Sequence, residues 1–103
     1  MTRTVHIAET AKLDLQNIWD YVADYDVGAA DKLVRELIKK FALLRDFPHI
    51  GREQNRLLIN LRSFVFKDYL IFYQPLDDGI EILRVMHGAQ DIQRVFDRFL
   101  DAL

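Results

Sequence analysis

Apolar residues recur at intervals of three or four positions in the first half of the chain. Beyond Thr10, a plausible N-cap, this spacing predicts an amphipathic helix that ends near residues 26–28. Its apolar positions are Ala11, Leu15, Ile18, Val22 and Tyr25. A second helix is predicted to begin close to Ala29 and to stop at Phe47-Pro48. Because the connection is so short, the two helices are expected to form an antiparallel hairpin.

The pattern changes beyond Leu57, where β-branched and aromatic residues dominate. Three antiparallel strands are predicted, over residues 57–66, 69–74 and 80–86. A short strand is predicted over 3–8, and Asp91 is predicted to cap a closing helix. The apolar positions of that helix are Ile92, Val95, Phe96, Phe99 and Leu100. The order is β-α-α-β-β-β-α, an α+β fold in one domain over residues 1–103.

Composition limits the classes of function. The chain has 103 residues, of which 50% are hydrophobic and 29% charged, and this balance is typical of a compact domain. It has no cysteine, which excludes a disulfide framework, a thiolate zinc site, an iron–sulfur cluster and a cysteine nucleophile. No apolar leader or membrane-length apolar run is present in the sequence. We therefore expect a cytoplasmic protein with no membrane partner.

Charge is distributed unevenly around a net value of −2. Residues 32–67 carry nine basic and three acidic side chains, whereas residues 1–31 carry two and six, and residues 68–103 carry three and seven. The chain as a whole lacks the positive field that draws proteins onto nucleic acid, so we expect no direct sequence-specific nucleic-acid binding. The basic middle is either a surface for an acidic partner or a solvated helix face with scattered loop arginines.

The conventional catalytic and cofactor motifs are missing. The three histidines lack metal-ligand spacing, and the sequence contains neither a glycine-rich phosphate loop nor a nucleophile elbow, so no metal and no cofactor are expected. A cationic set remains on the predicted strands, with a histidine and a tyrosine nearby. These residue types would permit an RNA-cleaving site. They are Arg62, Lys67, Arg84, His87 and Tyr73.

Strand geometry argues against an RNA-cleaving site. Alternation along a regular strand puts Arg84 and His87 on opposite faces unless a bulge intervenes. Simpler roles are an ion pair between Arg84 and a carboxylate such as Asp91, and a backbone hydrogen bond from His87 at the turn before the last helix. Trp19 is either a packing residue or an anchor for a partner.

Several motifs follow one another in a specific order. The first helix carries A-x-x-D-L-x-x-I-x-x-Y from Ala11 to Tyr21, and P-x-x-G follows at residues 48–51. Leu61-Arg62 and Ile71-Phe72-Tyr73 come next, and residues 80–91 read I-E-I-L-R-V-M-H-G-A-Q-D. In this order and spacing the sequence resembles the RelE/ParE toxin superfamily of bacterial toxin–antitoxin systems, and its ParE branch most. Gln90 stands where that family commonly has an arginine.

The resemblance implies a helical hairpin packed on a curved antiparallel sheet, and a cognate antitoxin whose tail wraps the hairpin and sheet. Three functions follow from it: a ParE-like toxin that binds and poisons DNA gyrase, a RelE-like ribosome-dependent mRNA endonuclease, or a degenerate module that binds only the antitoxin. The net charge, the opposed Arg84 and His87 and the H-G-A-x-D ending favour gyrase binding without a catalytic residue. Candidates for contact with the target or antitoxin are Arg62, Lys67, Arg84, His87, Trp19 and Phe41.

Overall fold

A five-stranded sheet lies between a helical hairpin and a closing helix. The computed structural model describes residues 2–88 and 90–101, and the side chains of Phe99 and Leu100 lie outside the described residues, together with their predicted packing. The α+β fold class is confirmed. The elements are β1 (Thr4–Ile7), α1 (Glu9–Ala23), α2 (Val27–Asp46), β2 (Arg52–Glu53), β3 (Arg62–Phe66), β4 (Tyr69–Leu76), β5 (Gly79–His87) and α3 (Ile92–Asp101).

The strands are arranged in the order β1-β5-β4-β3-β2. β3, β4 and β5 form the predicted antiparallel meander, and β2 extends it by one short antiparallel strand. β1 pairs parallel with β5, with Thr4 opposite Gly79 and Ile7 opposite Ile82. The sheet is therefore mixed. Any side chain at Gly79 would collide with the backbone of Thr4, so this glycine permits the close approach of β1.

The first predicted meander strand is shorter than the sequence pattern indicates. Residues 57–61 precede β3 as turns, with the Leu57 amide donating to the Gln54 carbonyl at 3.0 Å. Leu57 and Leu58 are partly buried against the sheet face that α3 covers, so their apolar character reflects loop packing and not a strand. An apolar run alone does not separate these two cases.

The start of α1 differs from the prediction. Ala8 is the N-cap and its side chain forms no capping hydrogen bond, so the prediction of Thr10 as N-cap is wrong. Thr10 lies within the first turn, and its hydroxyl donates to the Leu83 carbonyl at 2.7 Å. The side chain therefore joins the helix to β5 and does not cap it.

α2 and α3 are each capped by the aspartate that immediately precedes the helix. The Asp26 carboxylate accepts a hydrogen bond from the Ala29 amide at 3.1 Å, so α2 begins at Val27, slightly before the predicted start. The Asp91 carboxylate accepts from the Arg94 amide at 3.2 Å, as expected for the cap of α3. Among the residues described, no helix has the length and apolar character needed to cross a membrane.

Apolar clusters lie on both faces of the sheet. The face under the hairpin buries Leu37, Phe41, Leu44, Ile71, Tyr73, Ile80, Ile82 and Val85 with Ala11. The opposite face buries Leu61, Phe72, Leu83, Met86 and Phe96. The Phe72 and Phe96 rings meet edge to face with their centroids 4.8 Å apart, which joins α3 to the sheet. Because the hairpin covers one face of the sheet and α3 the other, β4 and β5 are almost continuously apolar.

Tyr73 fixes the loop that follows α2. Its side chain is fully buried, and its hydroxyl donates to the Pro48 carbonyl at 2.8 Å while accepting from the Gly51 amide at 2.9 Å. A side chain at Gly51 would collide with the Tyr73 ring. The proline and the glycine of the P-x-x-G motif are therefore the loop residues whose backbone groups bind the Tyr73 hydroxyl.

We expect Tyr73→Phe to lower the free energy of unfolding by about 1–3 kcal/mol, because both loop partners lose their hydrogen bond in a buried position. Chemical denaturation measures the change. Tyr25→Phe is the matched control, since Tyr25 is 81% exposed, and it should change stability by less than about 0.5 kcal/mol. Equal losses in the two variants would contradict this role for Tyr73.

Candidate functional site

α1 lies along the edge of β5 that β1 leaves open. β1 ends opposite Ile82, and the rest of β5 extends beyond it. The beginning of the helix supplies hydrogen-bonding groups to this edge in place of a neighbouring strand. The contacts run from the Ala8 amide to the Ile82 carbonyl at 2.9 Å, from the Thr10 hydroxyl to the Leu83 carbonyl at 2.7 Å, and from the Val85 amide to the Asp14 carboxylate at 2.9 Å.

Asp14 also forms a bidentate ion pair with Arg84. The Arg84 Nε donates to Asp14 Oδ2 at 2.7 Å and Nη2 donates to Oδ1 at 2.9 Å. The two side chains are only 18% and 12% exposed. The prediction that Arg84 pairs with a carboxylate is confirmed, but the partner is Asp14 on α1 and not Asp91, the example given. Two parallel charge-assisted hydrogen bonds hold the guanidinium in one orientation.

A bulge in β5 changes the direction of the side chains after Ile82. Tyr73 lies opposite Ile82 but Phe72 lies opposite Arg84, so Leu83 is an extra residue on β5. The bulge precedes both Arg84 and His87, which lie in regular register opposite Phe72 and Tyr69, so it does not change the alternation expected between them. Both side chains nevertheless line one cleft, between α1 and the end of β5.

This α1–β5 cleft lies between α1, the β3–β4 turn and the end of β5, and has a volume of about 580 Å³. Asp14 and Arg84 form its charged wall, and Ile18 and Val85 contribute apolar surface. The remaining lining residues are polar or aromatic: Asn17, Tyr21, Asp68, Tyr69, His87 and Gln90. Four of the ten lining residues are on α1, which the Asp14 contacts hold in place.

Three aromatic side chains, Tyr21, Tyr69 and His87, also line the cleft. The Tyr69 and His87 rings meet edge to face with centroids 5.5 Å apart, as neighbours across β4 and β5. Tyr21 is 68% exposed, and its ring packs edge to face on Tyr25 at 5.9 Å. Burial, followed by the nearby Asp68 charge, raises the pKa of Tyr69 above its usual value. The Tyr69 hydroxyl is therefore protonated at neutral pH and can donate a hydrogen bond.

The charge of the cleft is negative when histidine is counted as neutral. Asp14 and Arg84 cancel, which leaves the carboxylate of Asp68. Lys67 lies in the adjoining turn, but its ammonium pairs with Glu36 at 3.2 Å. A bound phosphodiester would thus meet an arginine already satisfied by a carboxylate. Groups suited to proton transfer are present, whereas cations available for a phosphate are not found among the described lining residues.

Arg62 lies outside the cleft and stabilises the loop after α2. Its Nη1 donates to the Gly51 carbonyl at 2.7 Å and to the His49 carbonyl at 3.2 Å, and its Nη2 lies 3.4 Å from a Glu53 carboxylate oxygen. The side chain is 19% exposed. These contacts account for an arginine in an otherwise apolar stretch without a partner protein.

The remaining predicted contact residues are spread over the molecule. Lys67 has φ +53° in the tight turn between β3 and β4, and its Nζ lies 5.4 Å from the centroid of the Phe66 ring. Trp19 connects the two hairpin helices, since its indole N–H donates to the Asp31 carboxylate at 2.8 Å. Phe41 is 1% exposed in the core. Its buried side chain offers no surface to a partner, so the contact role expected for it is not retained.

Sequence reasoning missed several residues of the cleft. Asp14 belongs to the A-x-x-D-L motif, but nothing in that motif identifies Arg84 as its partner. Asp68 and Tyr69 follow the β3–β4 turn, and only the hairpin register brings Tyr69 beside His87. In the described part of the chain, no group of three or more histidines or carboxylates is placed to hold a metal ion.

Comparison with known proteins gives matches over most of the chain. A family model described as the ParE toxin of type II toxin–antitoxin system, parDE, matches residues 5–92. Toxin ParE3 of Caulobacter vibrioides is 26% identical over 80 residues, which cover 77% of this chain and 80% of that protein. The solved structure of the chromosomal ParDE TA system from P. aeruginosa aligns with a TM-score of 0.70 and 19% identity, covering 84% of this chain and 96% of that one. This structural likeness shows a shared fold.

A double-mutant cycle should show strong coupling between Asp14 and Arg84. We expect a coupling free energy of about 1–3 kcal/mol from Asp14→Ala, Arg84→Ala and the double variant, since each single change leaves a partly buried charge without its partner. Chemical denaturation of the four proteins gives the value. The control is the exposed pair of Glu9 and Lys12 at 3.0 Å, where coupling should stay below about 0.5 kcal/mol. Similar coupling in the two pairs would refute the structural role assigned to Asp14.

Proposed function

Because this chain belongs to the ParE toxin family of type II toxin–antitoxin systems, we propose that it poisons DNA gyrase by binding and that a cognate antitoxin neutralises it. One observation supports binding over chemistry: Arg84, the cation of the cleft, is held by Asp14 in a bidentate pair. A side chain fixed in this way shapes a surface that a protein can recognise. It contributes little positive charge to a reacting phosphate.

The α1–β5 cleft is the proposed contact surface for gyrase. Its rim carries Tyr21 and His87, which are both exposed. Lys67 and His87 also border an adjoining groove around Val65 and Gly88. Exposed aromatic rings beside a cleft are typical anchors of protein interfaces. Arg62 and Phe41 do not belong to this surface, because Arg62 binds the loop after α2 and Phe41 is buried in the core. Trp19 lies in a separate groove between α1 and α2.

A second candidate function is ribosome-dependent mRNA cleavage. It is favoured by the presence of Tyr69, His87 and Arg84 in one cleft. The Tyr69 hydroxyl carries a proton that it could donate, but its raised pKa makes it a weaker acid and so a poorer proton donor. The carboxylates of Asp14 and Asp68 oppose this function, since they make the cleft unfavourable for a phosphodiester.

The proposed antitoxin surface covers the hairpin and the neighbouring part of the sheet. Large apolar side chains are exposed there that have no role in the core. Leu13 and Ile38 lie on the hairpin at 61% and 48% exposure, and Val65 lies on β3 at 66%. The basic segment 32–67 contains β3 and all but the first five residues of α2, so an amphipathic tail that combines apolar and acidic residues would complement this surface.

The purified protein should inhibit gyrase supercoiling and trap cleaved DNA, because the proposed target is gyrase. The product of a neighbouring short reading frame, added as the candidate antitoxin, should relieve the inhibition. A translation extract programmed with a defined mRNA should show no codon-dependent cuts. Cuts in ribosome-bound message with gyrase unaffected would instead establish the second function. Inactivity in both assays with tight antitoxin binding would identify a module without toxicity.

His87→Ala should weaken gyrase inhibition by about tenfold, equivalent to about 1.4 kcal/mol, because the ring belongs to the proposed contact surface. The concentration that halves supercoiling measures the change. His6→Ala is the matched control, since His6 is also exposed but lies on β1 and pairs with Asp78 at 3.0 Å, away from the cleft. Circular dichroism of both variants checks that folding is intact. Equal inhibition by His87→Ala and the unaltered protein would exclude His87 from the contact.

A further inference from the structure

We propose that the α1–β5 cleft binds a cationic side chain, an arginine or a lysine, carried by a partner protein. The proposal rests on the chemistry of the cleft walls, which combine aromatic rings, an unpaired carboxylate and an apolar strip. The identification of this partner as the target of the toxin rests on the proposed function. The preference of the cleft for a cation does not depend on that function.

The aromatic residues of the cleft suit a cation. Tyr21, Tyr69 and His87 come from α1, β4 and the end of β5, so they approach the cleft from different directions. Tyr69 and His87 meet edge to face, and both side chains line the cleft. A guanidinium or ammonium group over the face of a tyrosine is attracted by the negative potential of the ring. A raised pKa keeps Tyr69 in its neutral form, with the hydroxyl intact.

Asp68 supplies the opposite charge. None of the ion pairs formed by the described residues involves this carboxylate. Its backbone is fixed, because its carbonyl accepts from the Gly88 amide at 2.8 Å at the start of the connection to α3. A cation in the cleft would therefore meet a carboxylate that needs no rearrangement of an existing pair. Such a charge-assisted contact is stronger than a hydrogen bond between neutral groups.

The Asp14–Arg84 pair gives the cleft its selectivity. Because the pair is bidentate and mostly buried, the positive charge of Arg84 is cancelled locally and does not repel an incoming cation. The same cancellation removes the attraction for a phosphate. Asp14 thus determines which sign of charge the cleft accepts, although its carboxylate is already occupied by contacts within the protein.

The apolar part of the cleft suits the stem of a long side chain. Ile18 on α1 and Val85 on β5 provide surface beside the charged wall. Arginine and lysine carry three or four methylene groups that pack on apolar surface while the charged head reaches polar partners. A volume of about 580 Å³ holds such a side chain together with part of the backbone that carries it.

The test uses small probes on the full-length, isotope-labelled protein. N-acetyl-arginine amide is titrated while amide resonances are followed by NMR, and N-acetyl-citrulline amide is the control because it has nearly the same shape without the charge. Uridine 3′-phosphate tests the nucleotide alternative. We expect saturable shifts at Asp68, Tyr69, Val85 and His87 with the arginine probe, and at least tenfold weaker binding of the citrulline probe.

Two variants locate the charge. Asp68→Asn should weaken binding of the arginine probe at least threefold. Asp77→Asn should leave it unchanged, because Asp77 lies in the turn at the other end of the β4–β5 hairpin. The proposal is overturned by equal binding of the two amino-acid probes, by equal effects of the two variants, or by shifts in the cleft with uridine 3′-phosphate and none with arginine.

Gyrase inhibition is measured on the same samples, which separates the two proposals. Selective arginine binding without gyrase inhibition would reject gyrase as the target and leave the cation preference intact. Gyrase inhibition that is equally strong in the wild-type protein and Asp68→Asn, without selective arginine binding, would reject the cation preference alone.

Discussion

The carboxylate of Asp14 joins α1 to the central part of the sheet. It accepts two hydrogen bonds from the guanidinium of Arg84 and one from the Val85 amide, in a position where little of it is exposed. A partly buried carboxylate is costly to desolvate, and these three donors offset that cost. The position of α1, the cover on the open edge of β5 and the shape of the α1–β5 cleft therefore depend on Asp14, together with the contacts of Ala8 and Thr10 to the same edge.

This arrangement also determines what kind of site the cleft can be. An arginine at the end of a strand, beside a histidine and a tyrosine, has the composition of a phosphate-handling centre. Its pairing with Asp14 fixes the orientation of the guanidinium and cancels its charge locally. The same three residue types can thus serve recognition or chemistry, and the difference lies in whether the cation is already satisfied within the protein. The second carboxylate, Asp68, supports the proposed role of the cleft in recognition.

Local patterns in the sequence predicted most of the fold. Helical spacing indicated both hairpin helices, alternating and aromatic segments indicated the meander, and the resemblance to the RelE/ParE superfamily is confirmed by the family match over residues 5–92. The parallel pairing of β1 was not predicted, because a single short strand carries no information about its neighbour. The turns at residues 57–61 were assigned to a strand because an apolar loop and an apolar strand have the same composition.

The candidate site was harder to predict than the fold. Arg84 and His87 were identified, but no local motif announces the bulge at Leu83, which places Val85 on the same face of the sheet as Ile80 and Ile82. The partner of Arg84 is 70 positions away in sequence, so composition and spacing could not select Asp14 over Asp91. Arg62 was identified as a candidate contact, yet its loop carbonyl partners become visible only when the loop after α2 is placed against β3.

The parallel pairing of β1 with β5 affects when the protein can acquire its structure during synthesis. β1 leaves the ribosome first, whereas β5, its partner between β1 and β4, is made after the other four strands. Closing such a long loop is entropically costly, and the contacts that repay this cost do not exist until β5 emerges. A growing nascent chain therefore lacks both β5 and the cleft. Arg84, Val85 and His87, which β5 gives to the cleft, are thus among the last residues to be placed.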